Sequence, residues 1–438
     1  MNRIYLCLAH MSETGMEQKY IKEAFDTNWV VPLGPNVNGF EQDLKEFAGQ
    51  DKEVVALSAG TAAVHLALIA CGVEPGDEVL VQSFTFCASS HPITYLGAKP
   101  VFVDSEPDTW NMDPQLLETA IKDRIAKTGK KPKAIVPVYL YGMPAKIDEI
   151  MEIANRYDIP VIEDAAEGFG SRYKGQVCGT FGKYGVLSFN GNKMITTSGG
   201  GALICPDMEA KNKIMWYATQ AREAYPYYQH EAVGYNYRMS NICAGIGRGQ
   251  MTIVDDHIQH HRHIQSLYDE LLKDVPGITV HSQPANGDYD SNYWLCTILL
   301  SEDLRVKGEE LAYAETIQGA VGGAAGVVHS GGTVHTDCEP NRNVEAMRIA
   351  LDQAGIESRP LWKPMHKQPV YCRTTENEEL IMEDLPCGAL CQTAGASVAY
   401  INGVSEALFK RGLCLPSGPC VSDEQVVYII ENIKKNIL

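Results

Sequence analysis

Along the first two-thirds of the chain, short apolar runs alternate with stretches in which apolar residues recur every three or four positions. The run KEVVALS (52–58) precedes TAAVHLALIACG (61–72), whose spacing predicts a helix stopped at Gly72 by a left-handed closing residue. DEVLVQS (77–83), AKPVFVD (98–104) and KAIVPVYLYG (133–142) follow as strand candidates. In PAKIDEIMEIANRYD (144–158), Ile147, Ile150, Met151 and Ala154 fall at i, i+3, i+4 and i+7, the apolar stripe of a helix. That helix leads into IPVIEDAAEG (159–168). The strand candidates are nearly continuous apolar runs, as expected where helices cover both faces of a sheet. Repeated units of this kind predict an α/β fold on a mostly parallel sheet. Ligands bind such sheets beyond the carboxyl ends of the strands, so polar residues just after each run become the functional candidates.

Beyond about residue 250 the pattern changes. A charged helical stretch, DDHIQHHRHIQSLYDELLKDV (255–275), leads to a smaller α+β region with strand-like NYWLCTILLS (292–301) and IESRPLW (356–362). The expected division is a large domain over 1–255 and a smaller one over 256–438. Two stretches of the latter read as loops: the Gly-rich 319–340, and 374–395, acidic and then cysteine-bearing. Composition narrows the function classes. The 438 residues are 45% hydrophobic and 21% charged, as in ordinary globular proteins. A net charge of −18 disfavours a broad nucleic-acid or acidic-membrane surface but leaves room for a basic pocket. No apolar run approaches the ~20 residues of a membrane helix, and the start reads as too weakly apolar for a signal peptide. Thirteen scattered cysteines fit reduced thiols in a cytoplasm.

The chemistry centres on SFNGNKMITTSGGG (188–201), where one lysine sits among small polar residues. A nucleoside-triphosphate P-loop is excluded: five residues separate Gly185 from Gly191, Asn192 precedes Lys193, and Met194 follows it. The run IPVIED places Glu163 and Asp164 at a strand end, on opposite faces by alternation, so at most one readily meets a given ligand. Either acid could instead cap the following helix. With Lys193 after the strand YGVLSFN, a carboxylate and a lysine are the two protein groups that pyridoxal phosphate requires. The acid keeps the pyridine nitrogen protonated, and the lysine bonds to the aldehyde and later moves protons. SAGTAAVH (58–65) could cradle the phosphate: Gly60 permits close approach, and Thr61 and Ala62 offer amides at a positive helix end. A plain helix cap reads equally well there. Phe86 is a candidate to stack on a flat ring or a core residue. The glycines of TTSGGG read as a turn that exploits their backbone freedom. His257, His260, His261 and His263 read as a solvated helix face rather than a metal site, and Cys387 and Cys391 lack a second pair. His366 suits substrate contact or a structural hydrogen bond.

The segments SAGTAAVHLAL, FTFCAS, VIEDAAEGFGS, FGKYGVLSFNGNKMITTSGGG, GYNYRMSNICAGIGRGQ, RPLWKPMH and GLCLPSG closely resemble the DegT/StrS-type sugar aminotransferases. The resemblance spans nearly the whole chain. It implies a pyridoxal 5'-phosphate enzyme of the aspartate aminotransferase fold (fold type I), with a large parallel-sheet domain and a smaller α+β domain. EDAAE together with SFNGNK looks most like enzymes that aminate C4 of a UDP-4-keto-6-deoxy-N-acetylhexosamine, with glutamate as donor. By this resemblance Lys193 is the lysine bonded to the cofactor, Asp164 partners the pyridine nitrogen, and Phe86 stacks on the ring. Gly60, Thr61 and Ser188 hold the phosphate, and Glu167 lies near the cofactor's 3-hydroxyl where many members carry Gln or His. Asn236 reaches the phosphate of a neighbouring subunit, which implies a homodimer with shared sites. The connections at 304–340 and 373–399 are longer than those of the family and lie beside elements expected to approach the sugar nucleotide. A relative that dehydrates the sugar carries histidine in place of the lysine, so Lys193 counts against it. A cofactor-binding regulator and an idle relative are disfavoured, by the acidic charge with no DNA-binding segment and by the intact Lys193 and Asp164.

Overall fold

The computed structural model describes residues 3–49, 51–312, 338–372, 381–385, 390–394 and 397–438. Its centre is a sheet of strands β1 (Glu53–Leu57), β2 (Glu78–Gln82), β3 (Lys99–Val103), β4 (Ala134–Val136), β5 (Ile162–Asp164), β6 (Tyr184–Ser188) and β7 (Gly201–Cys205). Their spatial order is β1-β7-β6-β5-β4-β2-β3, with β4 and β5 joined by the bridges Ile135–Val161 and Val138–Asp164. Only β7 runs against its neighbours in this set. Val54, Ala56, Leu80, Val101 and Val103 pack into one apolar cluster, and Val55, Leu57, Val79, Val81 and Phe102 into another. Alternate side chains thus enter two cores, one on each face, which is why the strands read as unbroken apolar runs.

The local signals hold. Helix Gly60–Ala70 closes at Gly72, whose φ is +74° and whose N–H donates to the Ile69 carbonyl at 2.9 Å. Helix Ile147–Arg156 buries Ile147, Ile150, Ile153 and Ala154, with Met151 half-buried at the edge of the stripe.

Later chain builds an antiparallel sheet in the order Ile278–Val280, Cys296–Leu300, Gly412–Leu415, Arg359–Pro360. Helices Val254–Leu272, Arg342–Gln353 and Asp423–Asn436 contribute to a third core around it. The chain also returns to the large sheet. Ser397–Ile401 pairs in parallel with β3 and carries Leu390–Ala394 and then Ile381–Asp384 outward. The stretch 374–395, expected as loop, is therefore partly strand. Residues 381–384 and 390–394 satisfy backbone groups by extending the sheet beyond Ser397–Ile401 at the β3 edge. Residues 313–337, 373–380, 386–389 and 395–396 lie outside the described residues, including most of the Gly-rich connection and Cys387. No described helix is long and apolar enough to cross a membrane.

The histidine helix departs from expectation. His257 and His261 are buried, whereas His263 is exposed and pairs with Asp423 at 2.8 Å. Helix Val254–Leu272 turns His257, Ile258, His261, Ile264 and Tyr268 inward at helical spacing, so imidazoles share the stripe with aliphatics. Nδ1 of His261 lies 3.1 Å from the Tyr293 carbonyl, and burial pushes its pKa down to about 3. In the unfolded chain an imidazole takes its proton near pH 6.5. Between those values the unfolded state binds the extra proton. Stability from this residue is therefore full above pH 6.5 and lost as pH falls toward 3. His261→Asn keeps a donor for the carbonyl. It is expected to flatten the acid slope of unfolding free energy by about 1.4 kcal/mol per pH unit below pH 6, measured by denaturant titration. An unchanged slope would refute this account.

Candidate active site

Three strand ends converge on one cavity. β5 ends at Asp164, β6 at Ser188, and β1 leads through Ser58 and Ala59 into helix Gly60–Ala70. The cavity volume is about 410 Å³, and Gly60, Thr61, Phe86, Asp164, Glu167, Ser188 and Lys193 all line it. Lys193 sits in the turn after β6, its N–H bonded to the Asn190 carbonyl at 3.0 Å. Alternation along β5 separates the two acids as expected. Asp164 faces the cavity, while Glu163 points into the core and accepts from Tyr139 Oη, the Gly179 N–H at 2.8 Å and the Gly182 N–H at 2.5 Å.

The helix entrance fits an anionic group. Residue Ala59 at the N-cap offers no side-chain acceptor, so the first-turn amides keep their donors for a ligand. A Cβ at Gly60 would lie 3.1 Å from Ser188 Cβ and 3.4 Å from the Leu187 carbonyl, so the bare glycine leaves space beside the serine. Ala62 is buried and does not line the cavity, which leaves only its backbone as a contributor. Asn236 is exposed, bridges to Thr219 and does not reach this cavity. Gly200 and Gly201 act through space rather than rotation. The positive φ, +72°, falls on Ser198. A Cβ on Gly201 would lie 2.4 Å from the Gly60 nitrogen, and one on Gly200 would lie 2.2 Å from Thr197 Oγ1. Strand β7 can pass the helix entrance only without side chains there.

Inside the cavity, Lys193 Nζ lies 3.0 Å from Glu167 Oε1 and 3.9 Å from the centre of the Trp294 ring. Glu167 Oε2 accepts from the Tyr141 N–H at 2.8 Å. Asp164 Oδ2 accepts from Ser89 Oγ at 2.6 Å, and Oδ1 from the Ala166 N–H at 3.1 Å. Burial pushes the pKa values of both acids up, opposed for Asp164 chiefly by the Ser89 hydroxyl and for Glu167 chiefly by the Lys193 charge. Two buried carboxylates beside one lysine leave the site short of positive charge, a setting that favours a protonated ring nitrogen against Asp164. Phe86 is 53% exposed, with its ring centre 5.5 Å from that of Trp362. Such an open aromatic face in a cavity is available for stacking. The set of a helix entrance, serine, carboxylate, lysine and open aromatic ring matches the groups of pyridoxal phosphate one by one.

Several contributors escape sequence reasoning. Trp294 Nε1 donates to the Asn192 carbonyl at 2.6 Å, fixing the turn that carries Lys193. Asn292 secures that tryptophan's segment by donating to the carbonyls of Glu167 and Phe169 at 2.8 and 2.9 Å. Tyr141, at φ +54°, bonds Glu167 through its N–H and receives the Trp362 N–H on its hydroxyl at 2.9 Å. It directly follows the run KAIVPVYL, a position that the strand-end rule could have flagged. The tryptophans come from distant chain, and no local pattern points to them. His366 resolves toward structure. It is buried, with Nδ1 2.6 Å from Ser83 Oγ and Nε2 3.1 Å from Glu406, and it does not line the cavity.

Comparison with known proteins places the chain in a family. Residues 12–323 match the DegT/DnrJ/EryC1/StrS aminotransferase family. EpsN of Bacillus subtilis (strain 168), named provisionally as a pyridoxal phosphate-dependent aminotransferase, is 42% identical over 98% of this chain and 94% of its own. GDP-perosamine synthase of Escherichia coli O157:H7 is 33% identical over 98% of each chain. The crystal structure of a DegT DnrJ EryC1 StrS aminotransferase from Brucella abortus superposes with a TM-score of 0.77 at 27% identity, covering 96% of this chain and 95% of that one. The chain belongs to this family.

Proposed function

We propose that this member of the DegT/DnrJ/EryC1/StrS aminotransferase family, a pyridoxal phosphate-dependent aminotransferase, acts on a nucleotide-linked sugar. It transfers the amino group of glutamate to the C4 ketone of a 4-keto-6-deoxy sugar, for amino-sugar or surface-glycan synthesis. The observation that carries the site is the convergence of Lys193, Asp164 and the open helix entrance on one cavity. The C4 position draws on the motif resemblance and on the relative named for GDP-perosamine, a 4-amino sugar. The motif resemblance favours UDP as the nucleotide, whereas that relative's name carries GDP.

Bound pyridoxal phosphate supplies an aldehyde that receives the amino group and a protonated ring that withdraws electrons from the breaking bond. Asp164, held by Ser89 and Ala166, keeps the ring nitrogen's proton in place. The amides at Gly60, Thr61 and Ala62 and the Ser188 hydroxyl bind the phosphate, and the Phe86 ring orients the flat face. Lys193 Nζ carries the proton between donor carbon and cofactor, its turn fixed by Trp294 so that position contributes to rate. The Trp294 ring covers that amine at 3.9 Å. Asn236, exposed and away from this cavity, serves the site of a second copy in a homodimer.

The test is an assay of the purified protein with glutamate and, in separate arms, UDP- or GDP-linked 4-keto-6-deoxyhexoses and nucleotide-linked 3-keto sugars. Formation of 2-oxoglutarate together with a 4-amino sugar on one of the nucleotides is expected. Turnover confined to a 3-keto sugar would move the amination site. Cofactor absorbance without any turnover would favour a cofactor-binding regulator.

A further inference from the structure

Lys193 must lose a proton before its nitrogen can attack a carbonyl or accept a proton from carbon. The cavity contains a receiver for it. Glu167 Oε1 lies 3.0 Å from Nζ and, among the described residues, is the acceptor that this amine has. The pair is largely buried, at 12% side-chain exposure for the lysine and 3% for the glutamate. The opposite face of the amine is closed by the Trp294 ring at 3.9 Å. The second oxygen of Glu167 is fixed by the Tyr141 N–H at 2.8 Å, so the carboxylate cannot swing away without losing a buried bond.

We infer that Glu167 is the proton partner of Lys193, taking the ammonium proton onto Oε1 to free the amine and returning it afterwards. This rests on the assignment of Lys193 as the cofactor lysine and adds to it a separate residue with a separate task. The step balances within the pair. One N–H bond breaks and one O–H bond forms; an ammonium and a carboxylate become a neutral amine and a neutral carboxylic acid. Neutralising both charges at once suits an enclosed site, where an isolated charge is costly.

The surroundings support the exchange. Burial raises the Glu167 pKa, which makes its carboxylate a stronger base than an exposed one. The other ionisable groups facing the pair are Asp164, Tyr141, Cys414 and Cys7. Burial pushes the Cys7 thiol up to about 12 and raises the Tyr141 phenol and the Cys414 thiol well above their ordinary values, so these three stay neutral through the working range. Asp164 is engaged by Ser89 and Ala166. Glu167, 3.0 Å from the amine, is left as the group placed to trade a proton with Lys193. That task is distinct from any contact with the cofactor's hydroxyl.

Glu167→Gln keeps the side-chain shape and an acceptor for the Tyr141 N–H while removing the basic oxygen. The full-length protein, freed of cofactor, is mixed with pyridoxal phosphate, and covalent capture is followed by absorbance and by borohydride trapping with peptide mass analysis. In parallel, non-covalent binding of pyridoxamine phosphate is followed by fluorescence. The expected result is capture slowed about tenfold or more at neutral pH, recovering as pH rises and solvent takes over deprotonation. Pyridoxamine phosphate affinity should stay within about twofold. Wild-type capture rates across the pH range overturn the inference. So does a parallel loss of capture and pyridoxamine phosphate binding, which marks a purely structural role. If trapping in the wild type labels a residue other than Lys193, the lysine assignment fails first and this inference falls with it, so the two failures are distinguishable.

Discussion

Lys193→Ala is expected to abolish amino transfer, lowering kcat by about 10⁴-fold or more, because one substitution removes both the covalent anchor and the proton carrier. The protein should still fold. The lysine belongs to a surface-connected cavity rather than to the core, and the acids left behind can neutralise by taking up protons, as their raised pKa values already favour. Lys193→Arg is the matched control. It keeps a cation beside Glu167 and Trp294 but offers no nucleophilic amine, so it should be nearly as inactive while disturbing the cavity less. Steady-state release of 2-oxoglutarate reads the effect, and the cofactor's visible absorbance reports whether the covalent link is gone. Wild-type-like transamination by either variant would remove Lys193 from the mechanism.

The second large effect falls on the neighbouring acid and has the opposite character. Glu163→Ala is expected to cost about 3–5 kcal/mol of stability while leaving turnover per folded molecule close to normal. Its carboxylate is fully buried and collects Tyr139 Oη and the backbone N–H groups of Gly179 and Gly182, all of which lose their acceptor at once. Those bonds tie the strand end to the Gly179–Gly182 segment, so the loss is structural. Denaturant unfolding measures the first quantity, and activity normalised to folded protein the second. Equal damage to both would mean that Glu163 reaches the chemistry after all.

These two variants also mark where sequence and structure part. Period-two alternation along IPVIED already places Glu163 and Asp164 on opposite faces. Which face holds the ligand is a property of the sheet, since β6 and the helix entrance must stand on the Asp164 side. The local signals of the α/β core are strong because burial on both faces leaves each strand a continuous apolar run, and Gly72 closes its helix at the predicted point. Period-based reading fails where a polar residue is buried by distant packing. The helix at 254–272 looks solvated because histidines appear polar, yet helical spacing carries His257 and His261 inward with Ile258 and Ile264. The glycines of TTSGGG read as a turn, but the structure uses Gly201 to let β7 pass close to the backbone at Ala59 and Gly60.

The sequence by itself determined the βα order, the strand-end placement of Lys193, Asp164 and Ser188, and through their combination the cofactor. All of these depend on periodicity and on residue types spaced closely along the chain. Tertiary structure alone decided the surroundings of the amine: Glu167 at 3.0 Å, Trp294 at 3.9 Å, and Asn292 securing the segment that carries the ring. Trp294 lies more than a hundred residues from Lys193, and such meetings leave no local periodicity to read. They arise from how the later chain docks on the large sheet.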